Sequence, residues 1–404
     1  VPPPTAAPLP PPTPSPLPAP LAPAEAAPDK EKPYDPEIPG MVSGETAEDG
    51  GRTMSGHTFP IPNLGSHAFV ASSFSTGAAL AFRHVSDLPG FGGTLPYSYD
   101  SAFVILRFGL DVAPAKFLAV AIDAQYDAQV GANLESIFFH GGTTALDIRP
   151  GLRARFFRSE SSGTQLGLHG YGIIQSGLTA MPFGPLSGVA GEILRLTATD
   201  PAAAGQCVQR LLVGNFRCGN LNDERLLDAT LLTTFGGGGG AALHFGQALG
   251  KYVGVQATAG VEGTSLTTSW DFPGFPVEFE AGGVGFVGGI MPSLNFYPSL
   301  PIGASLEYKI RAGSGTLTIQ NPTVPNVELD QAPAEHRFAA GLYYTGRRDL
   351  QLGWIFSLAY QPERTAAAAN DYGANVLGLS AGLPLGTVPE TLTLEPRFMM
   401  RYFF

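Results

Sequence analysis

From about residue 76 onward, apolar and small or polar residues alternate one by one in runs of roughly ten. This is the period-2 signature of strands whose two faces meet different surroundings. In 117–129, Leu118, Val120, Ile122, Ala124 and Tyr126 share one face, while Asp123, Gln125, Asp127 and Gln129 share the other. The next run sets Leu146, Ile148, Leu152, Ala154 and Phe156 against Asp147, Arg149, Arg153 and Arg155. Further on, Ile302, Ala304, Leu306, Tyr308 and Ile310 oppose Ser305, Glu307, Lys309 and Arg311. Leu350, Leu352, Trp354, Phe356, Leu358 and Tyr360 form one face of 350–361. In the last run Leu392, Leu394, Phe398, Met400, Tyr402 and Phe404 oppose Thr393, Glu395, Arg397 and Arg401.

A soluble sandwich would bury the apolar face; a transmembrane barrel would turn it to lipid and the polar face to a lumen. Strand length near the 9–11 residues of a tilted membrane-crossing strand favours the barrel. So do the aromatics at run ends: Phe156, Phe157, Phe296, Tyr297, Tyr343, Tyr344, Tyr360, Tyr402, Phe403 and Phe404. The pattern predicts strands at 76–86, 101–111, 116–129, 143–156, 164–176, 228–246, 251–266, 282–297, 302–313, 335–346, 349–361 and 391–404. Short connections fall at Ala113-Pro114, 157–163, 247–250, 298–301 and 347–348, and long ones at 87–100, 130–142, 177–225, 267–281, 314–334 and 362–390. Short and long alternate throughout, as in an up-and-down barrel of even strand number. The fold expected is therefore an all-β, antiparallel transmembrane barrel of about twelve strands. Fourteen is the alternative, with a strand recruited from Ser66 to Phe74. Leu377, Leu379, Ala381 and Leu383 also alternate but are assigned to an outer loop, because an odd count would put Phe404 on the wrong side. Gly236 to Gly240 reads as a tight bend or close packing, with a lateral opening as the alternative.

The chain ends Arg401-Tyr402-Phe403-Phe404. This resembles the terminal strand of bacterial outer-membrane β-barrel proteins, and the alternating pattern extends the resemblance over roughly residues 76 to 404. The resemblance implies an outer-membrane location in a didermic bacterium, surrounding lipid as a partner, and Tyr402, Phe403 and Phe404 as the signal read by the barrel-insertion machinery.

Composition sharpens the picture. Only 14% of the 404 residues are charged and the net charge is −11, which argues against an ordinary soluble surface and against nucleic acid as a partner. No run approaches the length of a membrane-crossing helix. Residues 1–52 are Pro/Ala-rich and then acidic, predicting an extended or disordered periplasmic tail. The tail is a spacer or an arm for a periplasmic protein partner. No signal sequence precedes the proline run at Val1, so the chain reads as already processed. Residues 53–75, apolar but broken by Pro and Gly, predict a plug or collar, and residues 76–404 the barrel.

Parity places Arg83, Arg107, Asp111, Asp123, Asp127, Asp147, Arg149, Arg153, Arg155, His169, Glu307, Lys309, Arg311, Arg337, Glu395, Arg397 and Arg401 in the lumen. They serve either as cross-strand ion pairs that fill it or as a lining that sets selectivity. Cys207 and Cys218, inside the loop 177–225, predict a disulfide, since they lack metal-ligand spacing and the export route is oxidising. Helical spacing at 188–197 and 206–213 suggests a small cap in that loop. No cofactor or metal is expected.

His84-Val85-Ser86 places an imidazole and a hydroxyl on one lipid-side strand face. This resembles the His-x-Ser arrangement of outer-membrane phospholipase, in which Ser attacks and His is the base. The sequence identifies no polar group to orient the His, so no enzyme is expected and the pair reads as headgroup-level polarity. The function expected is a passive channel or transporter for small solutes. The alternative is a closed barrel that anchors an envelope-spanning complex through its tail.

Overall fold

The computed structural model describes residues 51–67, 69–88, 97–132, 137, 141–180, 193, 196–197, 199–212, 230–270, 277–297, 299–321, 324–332, 334–362, 364–365, 387–388 and 390–404. All lie within one compact unit, Gly40–Phe404.

Twelve strands form the wall: β1 Ser73–Leu88, β2 Tyr97–Ala115, β3 Leu118–Gly131, β4 Gly142–Ser159, β5 Thr164–Ala180, β6 Leu231–Ala248, β7 Val253–Trp270, β8 Val277–Asn295, β9 Ile302–Asn321, β10 Ala334–Tyr344, β11 Leu350–Gln361 and β12 Thr391–Phe403. Each pairs antiparallel with its neighbours in sequence, and β12 returns to β1 in the register Leu392↔His84 through Phe403↔Ser73. The sheet therefore has no edge. Closure gives each of the twelve strands a partner on both sides, which is the condition for strands to cross lipid.

The faces decide between barrel and sandwich. Leu80, Phe82, Val104, Val120, Leu152, Leu243, Val284, Leu306, Leu342, Trp354 and Phe398 are exposed on the outside, while Asp111, Arg153, Glu262, Glu307, Glu395, Arg397 and Arg401 are buried inside. A soluble protein would have this the other way round. Phe117, Phe156, Phe157, Tyr252, Phe296, Tyr344, Tyr402 and Phe404 gather on the outer surface at the short-turn rim. Tyr343 and Phe403, expected in that girdle, instead point inward and are buried, because alternation gives each the face opposite to its neighbour Tyr344 or Phe404.

Several boundaries differ from expectation. Ala113-Pro114 lies inside β2, whose register slips between Val112 and Ala115, and the turn falls at Lys116-Phe117. Where a loop was expected at 314–334, β9 continues and a strand Val324–Gln331 folds back on it as a hairpin. Of Ser66 to Phe74, only Ser73 and Phe74 join a barrel strand. The glycine run pairs without a break to β5 and β7, so there is no gap in the wall at that point. A Cβ on Gly238 would lie against the Gly263 carbonyl and 2.9 Å from the Thr264 Cα, so the two strands approach as closely as only glycine permits. The Leu377–Leu383 segment and residues 1–50 lie outside the described residues.

Within loop 177–225, helix α1 spans Pro201–Leu212. Asp200 caps it, accepting from the Ala203 amide at 3.1 Å, and proline takes the first helical position. Cys207 is buried against Leu196 and Ala204, while Cys218 lies outside the described residues. No described helix is long and apolar enough to cross a membrane, which leaves the crossing to the strands.

Candidate functional site: a charged lumen and the segment within it

Residues 51–72 occupy the lumen at the short-turn end. The segment starts with a tight hairpin, Thr53-Met54 paired to His57-Thr58, whose turn residues Ser55 and Gly56 both have positive φ. That is the two-residue turn matching strand twist. Met54, Phe59, Ile61 and Phe69 then pack with Ala248 and Phe403 into a core inside the barrel. A second cluster joins Leu64 to Ala339, Tyr343, Ile355 and Met399. Polar contacts run to many strands of the wall, β6, β7, β8 and β11 among them. Arg52 donates to the Gln351 side chain at 3.1 Å and to the Arg348 carbonyl at 2.8 Å, with its guanidinium 4.1 Å above the Phe403 ring. His57 Nε2 lies 3.1 Å from Ser293 Oγ, Ser66 Oγ lies 3.0 Å from His244 Nε2, and Gln256 donates to the Pro60 carbonyl at 2.9 Å.

The apex of the segment rests on one carboxylate. Glu307, on β9, accepts from the Asn63 amide at 2.9 Å, the Asn63 side chain at 2.7 Å and the Leu64 amide at 2.9 Å. Asn63 also donates to the Tyr343 hydroxyl at 2.7 Å. Within the segment, burial pushes the His57 imidazole down to about 4, and burial beside the Arg153 and Arg401 guanidiniums holds His67 well below the usual imidazole range. Both histidines are thus neutral at pH 7.

Past the apex, the lumen holds a cavity of about 510 Å³ bordered by Asn63, Asp123, Asp127, Arg149, Lys309 and Arg337, among others. Its walls are tied by ion pairs. Arg153 reaches Asp111 and, at 3.1 Å, Asp123; Arg401 lies 3.4 Å from Asp111. Arg149 pairs with Asp147 at 3.0 Å and with Glu262 at 3.2 Å, and Glu262 also holds Arg311 at 3.0 Å. Tyr171 donates to Glu262 at 2.8 Å. One carboxylate on β7 thereby links β4 to β9, strands that are not neighbours, and narrows the lumen at that height. Arg397 pairs with Glu395, Arg107 approaches Glu395 at 3.6 Å, and Arg337 pairs with Glu335 at 2.6 Å.

Every lumen residue singled out from sequence lies on the inner face, Arg155 at its rim beside Gly51. Arg155 donates to the Lys116 carbonyl at that rim, and the register of β4 slips only beyond it, between Arg155 and Phe157. Asp127 is held by Gln125 at 2.8 Å rather than by an arginine of β4, where Arg149 instead meets Asp147 and Glu262. Lys309 makes no hydrogen bond or ion pair among the described residues and faces the cavity. Tyr402 and Phe404 face outward, their rings 6.5 Å apart, whereas Phe403 supports the N-terminal segment.

Sequence reasoning missed Arg52 and Glu262. Glu262 is the one acidic residue between Val253 and Trp270 and alternates inward between Val261 and Gly263, so parity alone could have found it. Arg52 carries no such signal, since its partners on the wall, Gln351 and Arg348, are remote in sequence.

A closed, twelve-stranded wall with an apolar exterior and a charged interior defines a transmembrane β-barrel of the outer-membrane class. No family model and no curated protein matches the chain. Solved structures with similar folds include an outer-membrane channel from Pseudomonas putida F1, 12% identical over 90% of this chain and 100% of that one, with a TM-score of 0.39. The transport unit of the autotransporter AIDA-I from Escherichia coli is 7% identical over 83% and 90%, with a TM-score of 0.42. The Pseudomonas putida toluene transporter TodX is 8% identical over 89% and 97%, with a TM-score of 0.38. At such identities and scores, nothing about solute, cargo or mechanism passes from these proteins to this chain.

Proposed function

We propose that this barrel is an outer-membrane channel for small polar or charged solutes, closed in this conformation by residues 51–72 acting as a plug. The observation that carries the reading is the charged cavity beyond the Glu307–Asn63 contact, with Lys309 left unpaired at its wall. Lys309 faces that cavity with no direct ion pair of its own, as suits a lining that sets selectivity. Twelve strands enclose a lumen between the filled eight-stranded and the open sixteen-stranded barrels. The ion pairs of Arg149, Glu262 and Arg311 reach across it. The segment enters at the short-turn rim, which supports placing residues 1–50 on the periplasmic side, where they tether the plug or meet a periplasmic partner. Cys207 and Cys218 are proposed to form a bridge that closes a small loop after α1. Tyr402 and Phe404 at the outer rim suit contact with the insertion machinery.

The test is single-channel conductance in planar bilayers for the full chain beside a chain lacking residues 1–72, which begins at the first residue of β1. Larger or steadier conductance after truncation supports a plugged channel. Silence in both, with the barrel shown folded by heat-modifiable gel mobility, sinks it.

A further inference from the structure

Two charges of opposite sign border the cavity, Lys309 and Asp127, and neither makes an ion pair among the described residues. The register of the wall explains both. Lys309 stands directly between Gly289 of β8 and Arg337 of β10. The glycine has no side chain to offer, and the arginine is a like charge, an opposition unfavourable in a sheet. The carboxylates around Lys309 are engaged elsewhere. Glu335 holds Arg337 at 2.6 Å, Glu262 holds Arg149 and Arg311, and Glu307 accepts from the Asn63 and Leu64 amides. Asp127 stands between Ile105 of β2 and Ala145 of β4, which cannot neutralise it. Its carboxylate accepts from the neutral Gln125 amide. The guanidiniums on that side are taken too: Arg107 by Glu395 and the Asn63 carbonyl, Arg149 by Asp147 and Glu262.

Closure sets the two charges across from each other. β3 and β9 are six strands apart in either direction around a wall of twelve, so they face one another through the lumen. Both rise from the short-turn rim. Lys309 lies seven residues on from Ile302, the first of β9, and Asp127 nine on from Leu118, the first of β3, which gives them similar heights. At ~4.8 Å between strands and ~40° of tilt, facing backbones are about 24 Å apart. With a lysine projecting from one side and an aspartate from the other, the space between the charges is on the order of 10–15 Å. At ~3.3–3.6 Å per residue, about three amino acids span it with a hydrogen bond at each end. Gln125 and Gln175 also border the cavity, and their side-chain amides match peptide groups in donors and acceptors.

We propose that this cavity binds a short zwitterionic peptide, its carboxylate on Lys309 with Arg337 alongside and its ammonium on Asp127. The proposal rests on the channel reading and names the solute. A solute with a single charge answers one wall, leaves the other unanswered and carries net charge into a low-dielectric lumen. A zwitterion answers both walls and carries none.

The test is calorimetric titration of the full chain in detergent with three probes: triglycine, N-acetyltriglycine, which lacks the ammonium, and triglycinamide, which lacks the carboxylate. The wild-type chain should bind triglycine at least ~10-fold more tightly than either blocked peptide, the loss expected for one charge-assisted contact. This comparison needs no variant to fold. In Lys309→Gln, shown folded by gel mobility, triglycine and triglycinamide should bind alike, because the carboxylate no longer finds its partner. In Asp127→Asn, triglycine and N-acetyltriglycine should bind alike for the converse reason. Absence of triglycine binding, a blocked peptide that binds the wild-type chain as tightly as triglycine, or a variant that preserves the wild-type differences overturns the proposal. Conductance of the chain lacking residues 1–72 in plain salt tests the channel reading separately, so failure of the one is distinguished from failure of the other.

Discussion

Replacing Glu307 by Ala should release the apex of residues 51–72. In the folded chain this carboxylate is buried and accepts from three donors: the Asn63 amide, the Asn63 side chain and the Leu64 amide. Removing it leaves two buried backbone donors without acceptors, while the Asn63 side chain keeps the Tyr343 hydroxyl. At about 1–3 kcal/mol for each buried donor left unsatisfied, the docked segment loses on the order of 2–6 kcal/mol. Water filling the vacated space would bring the loss toward the lower end. Even ~2 kcal/mol raises the undocked fraction about thirtyfold, at 1.4 kcal/mol per decade. Glu307→Gln retains a carbonyl acceptor and should cost less, since only the charge assistance is lost. The assay is open probability in planar bilayers, read beside protease accessibility of residues 51–72. The expected order is Glu307→Ala above Glu307→Gln above wild type. If Glu307→Ala gives traces and cleavage indistinguishable from wild type while a chain lacking residues 1–72 conducts, the carboxylate does not hold the segment and the reasoning fails.

Acid should loosen the same segment. His57 titrates near 4 when buried and near 6.5 when released, so the released form binds the proton first as pH falls. The docked form is fully favoured above pH 6.5 and loses that advantage between 6.5 and about 4, by up to roughly 3 kcal/mol. Cleavage of 51–72 should rise across this window, and a flat profile from pH 7 to 4.5 would refute it. Arg153→Ala strips Asp111 of its closest buried cation, leaving Arg401 and the Ser73 hydroxyl, and should cost about 3–5 kcal/mol in urea unfolding followed by gel mobility. Gly238→Val should abolish the heat-modifiable folded band, because its side chain would enter the Gly263 backbone. Gly170→Ala, whose Cβ meets nothing within 4 Å, should leave that band unchanged.

The alternation of apolar and polar residues was sufficient for the twelve strands, their order and their faces. Period 2 is a local property of the strand, and burial in lipid or lumen selects it residue by residue. Thus Asp123 and Arg153 were placed inside from neighbours in the chain alone. Three kinds of decision needed the closed barrel. The register slip at Val112–Ala115 moved a turn, and that at Arg155–Phe157 set Phe156 and Phe157 side by side on the outer surface; a slip leaves no mark in composition. Which charges meet was settled by reach across the lumen: Glu262 holds Arg149 and Arg311 from three separate strands, and Arg149 passes over the directly opposed Asp123. The contacts of Arg52 with Gln351 and of Asn63 with Glu307 join residues more than two hundred positions apart. The pairing of His84 with Asp100 likewise exists only because β1 and β2 lie in this register. Local sequence sets which way a side chain points; only closure of the sheet brings it to its partner.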